Sequence, residues 1–354
     1  MELNLAIDSS NLRQVLMDYH IQVRESITKI KQIPKLDDTS KINKIFIFGM
    51  GGSAISGDLA NCIIKNIYPE IDIPIYVIRE YDIPVFLDNT SMVIAVSYSG
   101  NTEETLSAFN FSRERTSHLL GISSGGNLET ICKENNIHHI QIPSGFQPRA
   151  ALGYLFFSVL NFILFNFCRI CTLSRTTIEE QIIADMLEEK SKKYAEPTDD
   201  NIALGYAKQL LGKVPVVYSS SSVLGIVNIR FRGQIQENAK TLAFGNFIPE
   251  MNHNEINSWK YPANLLHHFF NIYLIDKSDH PQVQKRIHAT KEMIDKSNPN
   301  SIILQSNEDS LFSRIFDLIY LGDWISYYLA ILNNQDPTPV PVITEFKKII
   351  SNNN

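Results

Sequence analysis

The sequence predicts an α/β protein with two doubly wound parallel-sheet domains that are related by internal duplication. One observation is a series of short β-branched runs that alternate with segments of helical length between residues 44 and 143. Another is the return of an apolar strand, a turn and a helix at residues 213–240, about 170 residues after the first such element. Composition agrees, because 354 residues with 44% hydrophobic and 20% charged side chains are ordinary for globular domains.

Charge and apolar segments narrow the class of protein. The formal net charge of -6 offers no overall positive field, so we expect neither nucleic acid nor a membrane as a partner. The first residues lack a basic segment followed by an apolar core, and no run is expected to reach the length of a spanning helix. The apolar run 151–168 is interrupted by polar residues and is predicted to be a buried helix. We therefore expect a cytoplasmic location.

The predicted elements follow one another in a regular order. Apolar residues at helical spacing predict one helix over residues 10–35, and the polar stretch 188–201 is typical of a solvated connection. The predicted divisions are an N-terminal helix at 1–36, a first domain at 37–187, a second at 188–335, and a C-terminal segment and helix at 336–354. The predicted strands are 44–50, 74–80, 91–99, 117–124 and 137–143, then one at the start of the stretch 213–240, before its Ser-rich turn, and 270–276 and 301–306.

The first candidate site is the glycine turn after residues 44–48. Gly51 and Gly52 let the backbone approach a ligand closely, and Ser53 adds a hydroxyl at the start of a helix. The spacing of Gly49, Gly51 and Ala54 also fits a dinucleotide fingerprint. Either an NAD phosphate or a smaller anion could therefore bind here, and the turn could also simply join strand to helix.

A second loop, "VSYSGNTEET" at residues 96–105, favours the smaller anion. Its hydroxyls at Ser97, Ser99 and Thr102 precede another predicted helix, where unpaired amides and hydroxyls can hold one tetrahedral dianion. NAD needs an acid after the next strand, which Glu80 or Asp82 could supply, but it has no use for a second phosphate loop. Each loop alone also makes a normal helix cap, whereas two on one sheet favour a sugar phosphate.

Metal and redox cofactors are not expected. Four cysteines are too few for a disulfide framework, and the C-x-x-C of Cys168 and Cys171 has no second pair of ligands nearby. Two thiolates do not complete a tetrahedral zinc site.

Six motifs in order resemble the bifunctional phosphoglucose/phosphomannose isomerase family, whose domains are of the sugar isomerase (SIS) type. The resemblance extends from about residue 40 to residue 348 and implies two SIS domains, which are flavodoxin-like or Rossmann-like α/β/α sandwiches. The motifs are "GMGGSAISGD", "SYSGNTEET", "GFQPRAALGYLF", "GQIQENAK", "MNHNEI" and "DPTPVP" followed by an Ile and "FK".

The resemblance implies a role for each of several residues. Glu237, after the helix of the second domain, matches the catalytic base, and Arg149 matches the residue that stabilises the enediolate. His253 matches the histidine that opens the sugar ring, with Lys347 of the C-terminal helix near the ring oxygen. Thr338 matches less securely a hydroxyl that gives the substrate room to present either C2 epimer. From spacing alone, these residues could equally be a helical ion pair or solvated side chains.

The implied activity is the reversible isomerisation of glucose 6-phosphate and mannose 6-phosphate with fructose 6-phosphate. It would proceed by metal-free proton transfer through a cis-enediol or enediolate, with a hexose 6-phosphate as the only small-molecule partner and no cofactor. The wider family implies a homodimer in which His253 acts on the partner's site. A non-catalytic SIS-domain sensor of phosphosugars, or an isomerase of another phosphosugar, remains an alternative reading.

Overall fold

Two separate parallel sheets organise the chain. The computed structural model describes residues 3–168 and 173–351. Contacts divide the chain into an amino-terminal unit of residues 18–188 and a carboxyl-terminal unit of residues 1–17 with 189–354. The bounds predicted for the domains stay predictions, but each unit contains one of the two sheets.

The sheet of the amino-terminal unit is parallel throughout, with the strand order β2-β1-β3-β4-β5. Its central strands are buried on both faces, as expected for near-continuous apolar runs such as "KIFIF". All five predicted strands are present. They are β1 (Lys44–Phe48), β2 (Ile75–Ile78), β3 (Ser91–Val96), β4 (Leu119–Ser123) and β5 (His138–Gln141).

The sheet of the carboxyl-terminal unit repeats this plan with the order β7-β6-β8-β9, again parallel throughout. Three of its strands were predicted. The edge strand "FGNFI" was missed, because Gly245 and Asn246 interrupt its apolar pattern. The strands are β6 (Val214–Ser220), β7 (Phe244–Ile248), β8 (Phe269–Leu274) and β9 (Ser301–Leu304).

Helices cover both faces of the sheets, as the doubly wound prediction requires. The apolar helix predicted from residue 151 is present, and most of its side chains are buried. The helices are α1 (Leu12–Met17), α2 (Tyr19–Lys29), α3 (Gly51–Ile67), α4 (Glu103–Ser112), α5 (Gly126–Glu134), α6 (Leu152–Phe167), α7 (Leu173–Ala195), α8 (Ile202–Leu210), α9 (Gly225–Ala239), α10 (Pro281–Asp295), α11 (Leu311–Leu332) and α12 (Pro341–Ser351).

Two predictions about the connections were wrong. The helix predicted over residues 10–35 is two helices, α1 and α2, which are separated at Asp18. The stretch 188–201 is helical as far as Ala195, and it buries Ser191 and Tyr194 rather than being fully solvated. Its lysines misled the prediction, because the ammonium of Lys190 forms partly buried ion pairs with Glu308 and Asp317.

One helix is longer and more apolar than the sequence reading allowed. By length and composition α11 could cross a membrane, but it is entirely buried within the chain. Arg314 of this helix donates to both carboxylate oxygens of Asp276, and Asp323 accepts from Arg230. Paired charges and complete burial are typical of the core helix of a globular unit.

Candidate functional site

The turn between β1 and α3 brings backbone amides to the carboxyl edge of the first sheet. Gly51 begins α3 with φ of +48°, a left-handed conformation that favours glycine. A Cβ added to Gly52 would lie 3.0 Å from the carbonyl oxygen of Pro148, so this position must also remain small. Ser53 follows in the first helical turn, where its own amide donates to the Met50 carbonyl at 3.0 Å and the positive end of the helix dipole favours an anion.

The loop between β3 and α4 supplies hydroxyl groups. Ser97 Oγ and Thr102 Oγ1 lie 2.8 Å apart, and Ser97 Oγ also accepts from the Thr102 amide at 3.4 Å. Because only one of these hydroxyls donates to the other, a second hydroxyl proton is available for a ligand oxygen. Ser99 lies exposed on the same loop. The loop thus offers several donors at the start of α4.

A hydrogen bond joins these two loops. Strands β1 and β3 are neighbours in register, so their carboxyl ends lie side by side. The amide of Tyr98 donates to Ser53 Oγ at 3.2 Å. Since Ser53 Oγ accepts this bond, its own proton remains free to turn toward a bound oxygen. The structure therefore brings the predicted residues Gly51, Gly52, Ser53, Ser97, Ser99 and Thr102 to one edge of the sheet.

Arg149 lies beside the first loop. It occupies a short 3₁₀ turn, Pro148–Ala150, and is 3% exposed. Its Cα is 3.2 Å from the point that a Cβ on Gly52 would occupy. A buried arginine whose backbone lies beside the start of α3 adds a positive charge to this part of the unit, which favours an anionic ligand.

Tyr98 and a third loop were missed by the sequence reading. The Tyr98 hydroxyl donates to the Pro143 carbonyl at 3.1 Å and accepts from the Phe146 amide at 2.7 Å, which fixes the segment that leads to Arg149. The third loop, residues 123–126, packs so closely that a Cβ on Gly100 would lie 1.8 Å from the Gly125 carbonyl. The two serines and the glycine pair at the end of β4, "SSGG", are the signal that could have revealed it.

Glu237 was predicted to follow the helix of the second domain. In the structure it lies within that helix, in the last turn of α9. It is half-buried and lies next to the side chains that fix the helix against α11. Those contacts are Arg230 to both oxygens of Asp323 at 2.8 and 3.0 Å, Gln234 to Asp323 at 2.7 Å, and Asn238 to Ser326 at 2.9 Å. Residues at this spacing share one face of a helix, so the buried network sets the rotation of α9 and the direction of Glu237.

Lys240 joins the end of α9 to the C-terminal segment. It is left-handed, with φ of +51°, and its ammonium donates to the carbonyls of Glu237 and Asn238 at 3.0 and 3.1 Å. It also donates to the carbonyl of Asp336 at 2.6 Å. Asp336 in turn accepts from the amide of Thr338 at 3.0 Å. The structure thus places Thr338 close to the helix that carries Glu237.

His253 and Lys347 lie on exposed elements. His253 ends a 3₁₀ turn, Glu250–His253, that follows β7. Lys347 lies on α12, where every residue from 341 to 350 is exposed.

The part of the chain that the structure describes contains no group of three or more His, Cys, Asp or Glu side chains that could hold a metal ion. The acids considered for a dinucleotide ribose, Glu80 and Asp82, follow β2 and are exposed. Cys171 of the C-x-x-C lies outside the described residues.

Comparisons with known proteins agree on one family. Residues 199–350 match the model of the bacterial phospho-glucose isomerase C-terminal SIS domain. A bifunctional phosphoglucose/phosphomannose isomerase from Caldicellulosiruptor bescii is 37% identical over 86% of this chain and 89% of its own length. The protein of the same name from Thermoplasma acidophilum is 34% identical over 95% of this chain and 100% of its own length.

Solved structures show the same fold at greater distance. The C-terminal domain of glucosamine-fructose-6-phosphate aminotransferase from Francisella tularensis aligns with a TM-score of 0.69 at 15% identity. The alignment covers 92% of this chain and 97% of that domain, so the likeness extends over both sheets.

Proposed function

The chain belongs to the bifunctional phosphoglucose/phosphomannose isomerase family and is an isomerase, and from this premise we propose that it interconverts glucose 6-phosphate and mannose 6-phosphate with fructose 6-phosphate. The observation that carries the proposal is the joined pair of hydroxyl loops beside a buried arginine. A phosphate needs several donors at one place, and an enediolate needs a cation. The hydroxyl loops and the arginine beside them lie at the carboxyl edge of the first sheet.

Phosphate binding falls to the amino-terminal unit. The starts of α3 and α4 supply amides, while Ser53, Ser97, Ser99 and Thr102 supply hydroxyls. Ser53 already accepts from Tyr98 and Ser97 accepts from Thr102, so each can direct its own proton toward the ligand.

Isomerisation requires ring opening, removal of a proton from C2 and its return to C1. In this proposal His253 and Lys347 open the ring, Glu237 carries the proton between the two carbons, and Arg149 stabilises the negative charge of the enediolate. Both epimers form the same enediolate, because the configuration at C2 is lost when its proton leaves. Thr338, which the Lys240 contact holds near the end of α9, is a candidate for accommodating both epimers.

Glu237→Gln tests the chemical part of the proposal. Turnover of all three sugar phosphates in a coupled assay should fall at least about 1,000-fold, because the amide cannot accept the proton. Binding of an unreactive hexitol 6-phosphate should remain within about threefold of the original affinity. Glu292→Gln, an exposed carboxylate on α10, is the matched control.

Two results would contradict the proposal. Retained turnover in Glu237→Gln would remove the base assignment. Unaltered protein that binds the hexitol phosphate but isomerises none of the three sugars would instead identify a non-catalytic phosphosugar sensor.

The homodimer, with His253 supplied to the partner's site, is part of this proposal, as is the cytoplasmic location. Mixing Glu237→Gln with His253→Ala subunits should restore up to about a quarter of the original activity if His253 acts in trans. Gel filtration at the assay concentration should give the size of a dimer. Subunits that exchange without any recovery of activity would place His253 in its own chain's site.

A further inference from the structure

A cavity of about 240 Å³ lies in the amino-terminal unit away from the two phosphate loops. Its walls are α2 and the chain after it, α6, and the residues of strand β5 that continue to Pro143. β5 is the edge strand of the sheet, so α2 and α6 enclose a space beside an edge that has no further strand. The volume is enough for several water molecules or for an organic molecule of about ten non-hydrogen atoms.

The floor of the cavity carries a polar group that lacks a regular partner. Asn161 of α6 is 2% exposed, and neither its Oδ1 nor its Nδ2 makes a hydrogen bond of normal geometry. Glu180 of α7 is fully buried, and neither of its carboxylate oxygens makes a hydrogen bond of normal geometry. Burial raises the pKa of Glu180, and the nearby Asn161 amide offsets part of that rise. An unpaired buried amide costs free energy, so this site gains from any molecule that supplies a donor and an acceptor.

The charged side chain that lines the cavity favours an anion at that end. Among the described residues that line it none is an Asp or Glu, whereas Lys29 is a half-buried lining residue; the nearest carboxylates are Glu25, which accepts from the lining Tyr154, and Glu180, beside Asn161. His139, also on the wall, is close to neutral at pH 7, because burial lowers its pKa below the ordinary value and its Nε2 lies 2.8 Å from Ser123 Oγ. The apolar surface between rim and floor comes from Ile33, Ile142 and Phe157.

We propose that this cavity is a regulatory site for a small organic carboxylate, whose charged group pairs with Lys29 and whose far polar end bonds to Asn161. The regulatory part rests on the proposed isomerase function, whereas binding itself does not.

A short chain of contacts connects the cavity to the phosphate loops. Pro143 forms part of the wall, and its carbonyl accepts from the Tyr98 hydroxyl at 3.1 Å. Tyr98 in turn donates its amide to Ser53, the hydroxyl of the first loop. Tyr154 lines the cavity and packs its ring 5.7 Å from that of Phe146, in the segment before Arg149. A ligand that fixes this wall therefore alters the energy of ordering both loops around a phosphate.

Malate is a suitable probe, and its neutral diamide is the control for charge. Calorimetry at pH 7 should detect binding of malate and not of the diamide at concentrations up to about 10 mM. Lys29→Met and Asn161→Leu should each weaken the binding at least about tenfold. Lys31→Met, a neighbouring exposed lysine that does not line the cavity, and Ser97→Ala, in the phosphate loop, should bind malate as well as the unaltered protein.

Malate should also change the KM for fructose 6-phosphate by about fivefold in the unaltered protein and not in Lys29→Met, whose activity without malate should be normal. The inference would be overturned if malate did not bind, or if it bound Lys29→Met as tightly as the unaltered protein. It would also be overturned if Ser97→Ala were the only variant to lose malate binding. If Asn161→Leu fails to fold, Lys29→Met still decides the matter, because Lys29 is only half-buried. Binding without an effect on KM would overturn the regulatory role, and binding without any isomerase activity would contradict the proposed function alone.

Discussion

Replacing Glu180 with Gln should stabilise the amino-terminal unit in a manner that depends strongly on pH. Burial raises the pKa of Glu180 to about 8, against an ordinary value of 4.5. Between these values the folded protein retains a proton that the unfolded chain releases, so stability falls as the pH rises, by about 1.4 kcal/mol per unit. Gln resembles the protonated acid in shape and in hydrogen bonding, and it needs no proton.

At pH 7 the acid lies about two and a half pH units above its unfolded pKa, so Glu180→Gln should be more stable by about 3 kcal/mol. The advantage should disappear near pH 4.5 and stop growing above about pH 8, where both states are ionised. Urea unfolding at several pH values measures the difference. Since both tryptophans, Trp259 and Trp324, lie in the carboxyl-terminal unit, far-UV circular dichroism or amide exchange in α6 and α7 should follow the transition, not fluorescence.

Glu134→Gln, an exposed carboxylate of the same unit, is the control and should show a small difference that does not change with pH. A constant difference between Glu180→Gln and the original protein would show that Glu180 is ionised in the folded state. The same result would show that a hydrogen-bond donor reaches this carboxylate in the folded protein.

Three further substitutions test the geometry of the site. Gly100→Ala should lower stability by about 2 kcal/mol or more and abolish phosphate binding, since its Cβ would collide with a backbone carbonyl. The control Gly205→Ala, with open space around the new methyl group, should unfold no earlier than the original protein. Equal melting of Gly100→Ala and the original protein would refute the close packing of the turn at Gly100. Arg149→Lys should reduce kcat about 100-fold with a smaller change in KM, because a single ammonium replaces the planar guanidinium, and an unchanged kcat in the coupled assay would remove its role. Lys240→Met should lower kcat about tenfold and cost roughly 1–2 kcal/mol in stability, since three carbonyls lose their donor, and unaltered kinetics would show that the C-terminal segment is positioned without it.

The sequence predicted the strands better than the connections between them. Buried parallel strands are continuous apolar runs, and "KIFIF" or "SMVIAV" can hardly be anything else. β7 was not predicted because it is an edge strand, which pairs on one side only. On that side the Val217 carbonyl approaches so closely that position 245 must be glycine. The break at Asp18 escaped as well, because apolar periodicity continues through it.

The parts of the site that are formed by single loops were predictable from the sequence. Glycines and hydroxyls at strand ends mark the phosphate loops, because local backbone geometry requires them. Tyr98 carries no such mark, since its importance comes from partners 45 residues away in each direction, Ser53 and Pro143. For the same reason the buried network behind Glu237 could not be read from α9 alone, because it depends on Asp323 of α11.

The duplicated strand, turn and helix serve different purposes in the two units. In the amino-terminal unit the ligand groups lie at the start of α3, where amide protons and the dipole favour a phosphate. In the carboxyl-terminal unit the corresponding helix, α9, places its key residue at the opposite end. A carboxylate there has no amides to meet it, and the ammonium of Lys240 supplies positive charge beside the last carbonyls. One plan thus provides an anion site at one helix end and a candidate base at the other, so loss of Lys240 should impair Glu237 while leaving the phosphate loops unchanged.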